Sequence, residues 1–238
     1  MPTDSTAPPF SGFHLDPAPA PIGAPALARA TFAATRPVDY EALVYVPGAT
    51  IRPARLPLVV ALHGAGERGT DLADVARHGL TRRLADGFRP PFAVVAPQCP
   101  ADRWWDLDAL LALLDGALDR LGADPSRVAI TGLSMGGYGA WGLATRAPER
   151  IAACAPVCGG GHPFFADRLR AVPIRAYHGA LDEVVPLRAS AEMVEAVNAA
   201  GGAATLTVYP DAAHDSWTPA YADDGLYAWF EACWAQRG

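Results

Sequence analysis

The chain has 238 residues and not one lysine; all nineteen of its basic residues are arginine. That absence excludes Schiff-base and pyridoxal chemistry, the Gly-Lys-Ser/Thr phosphate loop and the Ser-x-x-Lys hydrolases, each of which needs a lysine amine. The arginines are scattered along a chain of net charge −6, which argues against a nucleic-acid or anionic-membrane surface. Cysteine is scarce as well. Cys99, Cys154, Cys158 and Cys233 form no C-x-x-C pair, and two of them lie in an apolar run, so buried free thiols are expected in place of a zinc site or a disulfide framework. No stretch approaches the roughly 18 consecutive apolar residues of a membrane span. Met1 to Phe10 lack the basic start and apolar run of a leader, so a cytoplasmic location is expected unless a leader has been removed. No metal and no cofactor are expected, and the partner expected is a small neutral or cationic molecule. The oligomeric state is left open.

What is present is the balance of a packed soluble protein, 51% apolar and 18% charged. A chain of this length buries roughly 70–75% of its unfolded surface, enough for a core and a strained polar site together. Residues 1–26 hold seven prolines and read as an extended arm, followed by a single domain over 27–238. There, strands and helices alternate. Leu27 to Ala33 and Tyr40 to Val46 read as an antiparallel pair turning at Arg36-Pro37, and Leu56 to Leu62 and Phe92 to Ala96 as central strands buried on both faces. Asp71 is placed to cap a helix running to about Ala85. Leu107, Leu110, Leu111, Leu114, Leu118 and Leu121 fall on one helical face that Gly122 ends. Beyond it the pattern predicts strands over Arg127 to Thr131, Ile151 to Val157, Ile174 to Tyr177 and Thr205 to Tyr209. It predicts helices over Met135 to Arg146, Arg188 to Ala200 and Tyr221 to Gln236. Such alternation implies an α/β domain with a mainly parallel sheet covered by helices on both faces, and it directs attention to the residues that follow each strand.

After the Arg127 to Thr131 strand comes Gly132-Leu133-Ser134-Met135-Gly136-Gly137, a G-x-S-x-G opening a helix. A sharp strand-to-helix turn raises its serine into the cleft, and the helix start favours negative charge beside it. Ser134 is therefore the candidate nucleophile, and a weakly acidic hydroxyl needs a base oriented by a carboxylate. Three histidines follow it. His178 sits at a strand end and reads as structural, His162 lies in a Gly-rich loop, and His214 follows the last strand and is the candidate base. Asp182, in the loop after the Ile174 strand, is favoured as the orienting acid over Glu183, Asp211 and Asp215. The oxyanion needs backbone donors: the amide of Met135, and one from His63-Gly64-Ala65-Gly66-Glu67-Arg68-Gly69, where Ala65 is favoured and Gly64 or Gly66 are alternatives.

The combination HGAGERGTDL, APQCPADRWW, DPSRVAITGLSMGGYGAW, HGALDEVVP and YPDAAHDSWTPAY resembles the serine esterases of the α/β-hydrolase superfamily related to phospholipase/carboxylesterases, polyhydroxybutyrate depolymerase-like enzymes and feruloyl esterases. The resemblance runs from about Pro57 to the end. It implies an α/β-hydrolase fold of about eight mainly parallel strands, with Ser134, Asp182 and His214 as catalytic residues and Ala65 and Met135 as the oxyanion hole.

Only about fifteen residues separate Val157 from Ile174, so no large lid is expected, and an open cleft suits short acyl or aryl esters. Trp104, Trp105 and Trp217 are candidate substrate-binding walls, each with core packing as the alternative; Glu67 and Arg68 are a candidate pair bracing the oxyanion loop. The leading expectation is a carboxylic ester hydrolase working through an acyl-enzyme. The alternatives are a serine peptidase resembling the catalytic domain of prolyl oligopeptidases and a hydrolase fold kept as a binding module.

Overall fold

A computed structural model describes the backbone of residues 14–15 and 26–32 and all of residues 39–237. The rest of the N-terminal arm and the expected turn at Arg36-Pro37 lie outside the described residues. Among the described residues nine strands form one sheet: β1 (His14–Leu15), β2 (Ala26–Phe32), β3 (Tyr40–Val46), β4 (Leu56–Leu62), β5 (Ala93–Pro97), β6 (Ala123–Leu133), β7 (Ala153–Val157), β8 (Ile174–Gly179) and β9 (Ala204–Tyr209). Their order across the sheet is β1-β2-β3-β5-β4-β6-β7-β8-β9. The first three strands are antiparallel to their neighbours, and the six from β5 to β9 are parallel. This is the mainly parallel sheet of about eight strands read from the sequence, with the two-residue β1 added at one edge.

Six α-helices among the described residues cover the sheet: α1 (Gly79–Ala85), α2 (Leu107–Leu121), α3 (Met135–Arg146), α4 (Arg188–Ala199), α5 (Trp217–Ala222) and α6 (Asp224–Ala235). Strand alternation assigns them to faces. Leu58, Val60 and Leu62 of β4 join a core shared with α2, α3 and α4. Val59 and Ala61 of the same strand join a separate core with α1, α5 and α6. All seven residues of β4 are buried, the burden of a central strand covered twice.

Two of the expected helices are each divided in the structure. Asp71 does cap a helix, accepting from Ala73 N at 3.1 Å, but only a 3-10 turn over Leu72–Ala76. His78 is then extended and Gly79 takes φ +68°, so the chain breaks before α1 begins. The closing helix is likewise two: Asp223 is extended, and its side chain accepts from Gly225 N at 2.8 Å to cap α6 anew. In α2 the stop is Gly122 in the left-handed region, as read, and the cap is Asp106, which the sequence reading did not name. Its buried stripe, however, is centred on Leu110, Leu113, Leu114 and Ala117, leaving Leu107, Leu111 and Leu118 partly buried at its margins.

The parallel strands end level with one another, with Leu62 opposite Gly132, Leu133 opposite Val157 and Gly179 opposite Tyr209. Every loop read as functional therefore opens at one edge of the sheet. Between β7 and β8 the connection carries a single 3-10 helix, Pro163–Leu169, and no large lid domain.

Candidate active site

The turn from β6 into α3 is too tight for any residue but glycine at two positions. A Cβ at Gly132 would overlap the carbonyl of Gly136, and one at Gly136 would overlap the carbonyl of Leu62. Between them Ser134 is forced to φ 54° and ψ −117°, a conformation that costs an L-residue on the order of 1–3 kcal/mol. Its backbone is clamped on both sides: its N–H donates to Val157 O at 2.9 Å, and its carbonyl accepts from Tyr138 N at 3.1 Å. The hydroxyl is left free to face the loops from the neighbouring strands.

Two of those loops meet it. Gly179, at the end of β8, allows the loop after β9 to cross directly above, because any Cβ there would strike the carbonyls of Ala212 and Ala213. This carries His214 onto Ser134, with Nε2 2.9 Å from Ser134 Oγ, and its Nδ1 onto Asp182 Oδ2 at 2.7 Å. The other carboxylate oxygen of Asp182 accepts from the N–H groups of Val184 and Val185, both at 2.9 Å. Burial pushes the Asp182 carboxyl upward, but the hydrogen bonds from His214, Val185 and Val184 outweigh it and hold the group below its ordinary value. Asp182 thus stays ionised, and its charge requires the proton of a neutral His214 to sit on Nδ1, leaving Nε2 to accept from the serine hydroxyl.

His178 is fully buried beneath this pair. Its ring nitrogens lie 2.8 Å from Ser190 Oγ and 2.9 Å from Val185 O, so it ties the Asp182 loop to α4 and does not reach Ser134. Cys158 lies beside Asp182 and His214, also buried, with φ 39°. Its sulfur, a carboxylate oxygen of Asp182 and a ring nitrogen of His214 all lie within 4.8 Å of one another. Burial pushes this thiol up to about 12, against opposing hydrogen bonds from Ser134 and Ser216. A protonated thiol beside a histidine and carboxylate already bound to each other is a poor metal site.

The loop after β4 is held in place by Glu67, the brace expected from the sequence, but through a different partner. Glu67 is buried, and its Oε2 accepts the N–H of Gly64 at 2.8 Å, the reciprocal bond of a capping box. The expected Glu67–Arg68 pair does not form. Arg68 instead donates to Ala65 O at 3.0 Å and to Arg103 O at 3.2 Å, binding this loop to the one after β5. With the Gly64 amide engaged, Ala65 becomes the first residue of a 3-10 turn, and Met135 is the first of α3. An amide at the first position of a helix has no acceptor within that helix, and this holds for the N–H groups of both Ala65 and Met135. His63 completes the support. Its Nδ1–H donates to Gly64 O at 2.6 Å and its Nε2 accepts from Cys99 N at 2.9 Å. Burial pushes the imidazole down to about 4, with the Arg68 charge acting in the same sense and the Gly64 carbonyl opposing, so it is neutral in the folded protein at neutral pH.

The three tryptophans part company. Trp217 stacks edge-on against His214 with ring centroids 5.3 Å apart. Trp104 is 58% exposed and meets Tyr138 edge-on at 5.9 Å. Trp105 is buried against His63 at 4.8 Å and Tyr40 at 5.8 Å, so it is as much a floor under the oxyanion loop as a wall. Trp104 and Trp105 both line a groove of about 630 Å³ that runs along α3. Its walls come from three separate segments, and no local signal in the sequence announces it. All four cysteines are buried and free.

Comparison with known proteins places this geometry in context. The model of the dienelactone hydrolase family matches residues 103–224, just over half of the chain. The chain is 28% identical over 152 aligned positions to poly(3-hydroxyalkanoate) depolymerase C of Paucimonas lemoignei, covering 57% of this chain and 35% of the depolymerase. Among solved structures it is similar to a thermostable esterase, with TM-score 0.74 and 32% identity over 87% of this chain and 62% of that one. It also shares its fold with an acylaminoacyl peptidase of Pyrococcus horikoshii, with TM-score 0.67 and 15% identity over 87% of this chain and 42% of the peptidase. The chain thus spans about a third of the depolymerase and less than two thirds of the esterase.

Proposed function

Since this chain belongs to the dienelactone hydrolase family, we propose that it is a serine esterase, hydrolysing carboxylic esters through an acyl-enzyme on Ser134. The observation that carries this reading is the unbroken hydrogen-bonded line from Ser134 Oγ through His214 to Asp182, at 2.9 and 2.7 Å. In the first half-reaction Ser134 Oγ attacks the ester carbonyl carbon while its proton passes to His214 Nε2. The carbonyl oxygen becomes an oxyanion and accepts from the amides of Ala65 and Met135, each donor worth roughly 3–4 kcal/mol in the transition state. Collapse expels the alcohol, which takes the proton from Nε2. Water then attacks the acyl-enzyme with His214 again as base, releasing the acid and restoring the serine. Asp182 keeps the imidazole in the required tautomer and stabilises its transient positive charge.

With no lysine in the chain, no ammonium assists at the oxyanion, and the backbone supplies the donors. The names of the relatives, an esterase and a polyester depolymerase, favour an ester bond as the target. The absence of a large lid and the exposed Trp104 favour soluble short acyl or aryl esters. The test is turnover of p-nitrophenyl acetate beside a panel of aminoacyl arylamides. Ester turnover that Ser134→Ala abolishes supports the reading; amide turnover alone assigns the protein to the peptidases; and an unaffected Ser134→Ala variant removes Ser134 as the nucleophile.

A further inference from the structure

The groove along α3 lies on one side of Ser134 and is chemically one-sided. Tyr138, one helical turn after Ser134, stands at its near end and Arg146 at its far end, a separation of about 12 Å at the helical rise. Its lining holds Tyr138, His162, two arginines and four aromatic rings besides the tyrosine, and no carboxylate. The chain as a whole carries net charge −6, so a lining free of acid is a local reversal.

At the far end, Arg146 meets Asp108 at 3.0 Å. Arg168 has no carboxylate within 4.0 Å among the described residues. Its guanidinium donates only to the last carbonyls of α3, Thr145 O at 2.8 Å and Arg146 O at 3.3 Å. Farther in, the indole N–H groups of Trp105 and Trp141 are buried and have no hydrogen-bond partner among the described residues, and both rings line the groove. A ligand that brings an anion would give Arg168 the charged partner that the protein does not supply.

The face of the sheet decides which half of the ester enters. The leaving alcohol must lie beside His214 Nε2 to receive its proton. His214 is stacked on Trp217, which packs against the core of α1, α5 and α6. Trp105, Leu107 and Trp141, the groove's floor, belong to or pack on the opposite core. Resting on the esterase reading above, we infer that the groove holds the acyl half of an elongated ester whose far end carries a carboxylate, met by Arg168 and Arg146, with its chain against Trp104 and Tyr138. The substrate class is the half-ester of a long dicarboxylic acid, which extends the range beyond short acyl groups.

The test compares a p-nitrophenyl half-ester of a linear dicarboxylic acid spanning about 18 Å, the helical rise from Ser134 to Arg146, with the same compound methylated at its far carboxylate. A third compound is an acetyl ester carrying its carboxylate at equal span on the alcohol side. The expected result is a preference of about tenfold or more in kcat/KM for the free acid over its methylated form, the yield of a charge-assisted contact. That preference should shrink at high salt and be absent from the alcohol-side compound. In Arg168→Gln the ratio should fall towards one, and in Arg168→Lys, which keeps the charge, it should be partly retained. Equal rates for the free and methylated acids, with p-nitrophenyl acetate still turned over through Ser134, would overturn the inference and leave the esterase reading standing. A preference confined to the alcohol-side compound would overturn the acyl assignment. Loss of all ester turnover, p-nitrophenyl acetate included, would strike the esterase reading itself.

Discussion

Ser134 stands between two regions built on opposite faces of the same sheet edge, and they treat their ionisable groups in different ways. Around His214, Asp182 and the oxyanion loop, the buried carboxylates and imidazoles are paired: Asp182 with three donors, Glu67 with the Gly64 amide, His63 with Gly64 and Cys99. Along the α3 groove Arg168 meets no carboxylate within 4.0 Å among the described residues and donates only to the carbonyls of Thr145 and Arg146. The pairing teaches where preorganisation resides. Groups that act on charge developing in the transition state are fixed before substrate arrives, at the cost of strain at Ser134. Groups that recognise the rest of the molecule wait for the substrate to complete them.

This contrast fails if changes on the paired side merely weaken binding, or if changes along the groove slow the chemical step. The largest effect is expected at Asp182→Asn, which cannot hold His214 in the productive tautomer; kcat should drop by about 10⁴ with KM little changed, read by steady-state kinetics. Glu67→Ala frees the Gly64 amide and lets the Ala65 donor drift. It should lower kcat by roughly 10², whereas Glu67→Gln, still an acceptor, should keep most of the activity. His63 bears on stability. Its folded pKa lies below the ordinary 6.5, so the unfolded chain takes up the proton first: this contribution is complete above pH 6.5 and is lost as pH falls towards about 4. The loss amounts to on the order of 3 kcal/mol, and denaturant titrations of His63→Gln across that window should show a correspondingly flatter decline. Asp182, also held low, adds acid sensitivity of the same sign, lost as pH falls through its folded value. The smallest effect should come from the groove mouth. Trp104→Ala should raise KM for the long half-ester a few-fold, about 1 kcal/mol of aromatic contact, with kcat nearly constant.

The sequence made the paired side legible because its parts are short and local. Ser134 announces itself by glycines two residues to either side, and the order of Ser134, Asp182 and His214 along the chain follows the order of the loops that bring them together. The true partner of Glu67 is legible too, since Glu67 stands three residues after Gly64 at capping-box spacing. The error at Glu67 and Arg68 came from treating neighbours of opposite charge as partners when each had a better one in the backbone. The helix boundaries failed where one residue outweighed a periodic pattern: Gly79 at positive φ and Asp223 as a fresh cap each divide what reads as a continuous helix. The groove was legible only in Trp104 and Trp105, both read as candidate walls and both in its lining. Trp104, Tyr138, Trp141 and Arg168 come from three segments whose juxtaposition is a property of the packed sheet and helices, and Trp105 turned inward beside its exposed neighbour Trp104 with no signal in the dipeptide to say which would do so.

The central claim is that Ser134 carries the acyl group between two half-reactions. Mixing the protein with excess p-nitrophenyl ester, quenching in acid within a single turnover and mapping peptides by mass spectrometry tests it directly. The account predicts an acyl adduct on Ser134 that forms with the burst of p-nitrophenol and is absent from His214→Ala. An adduct on another residue, or full turnover with Ser134 never acylated, would contradict it.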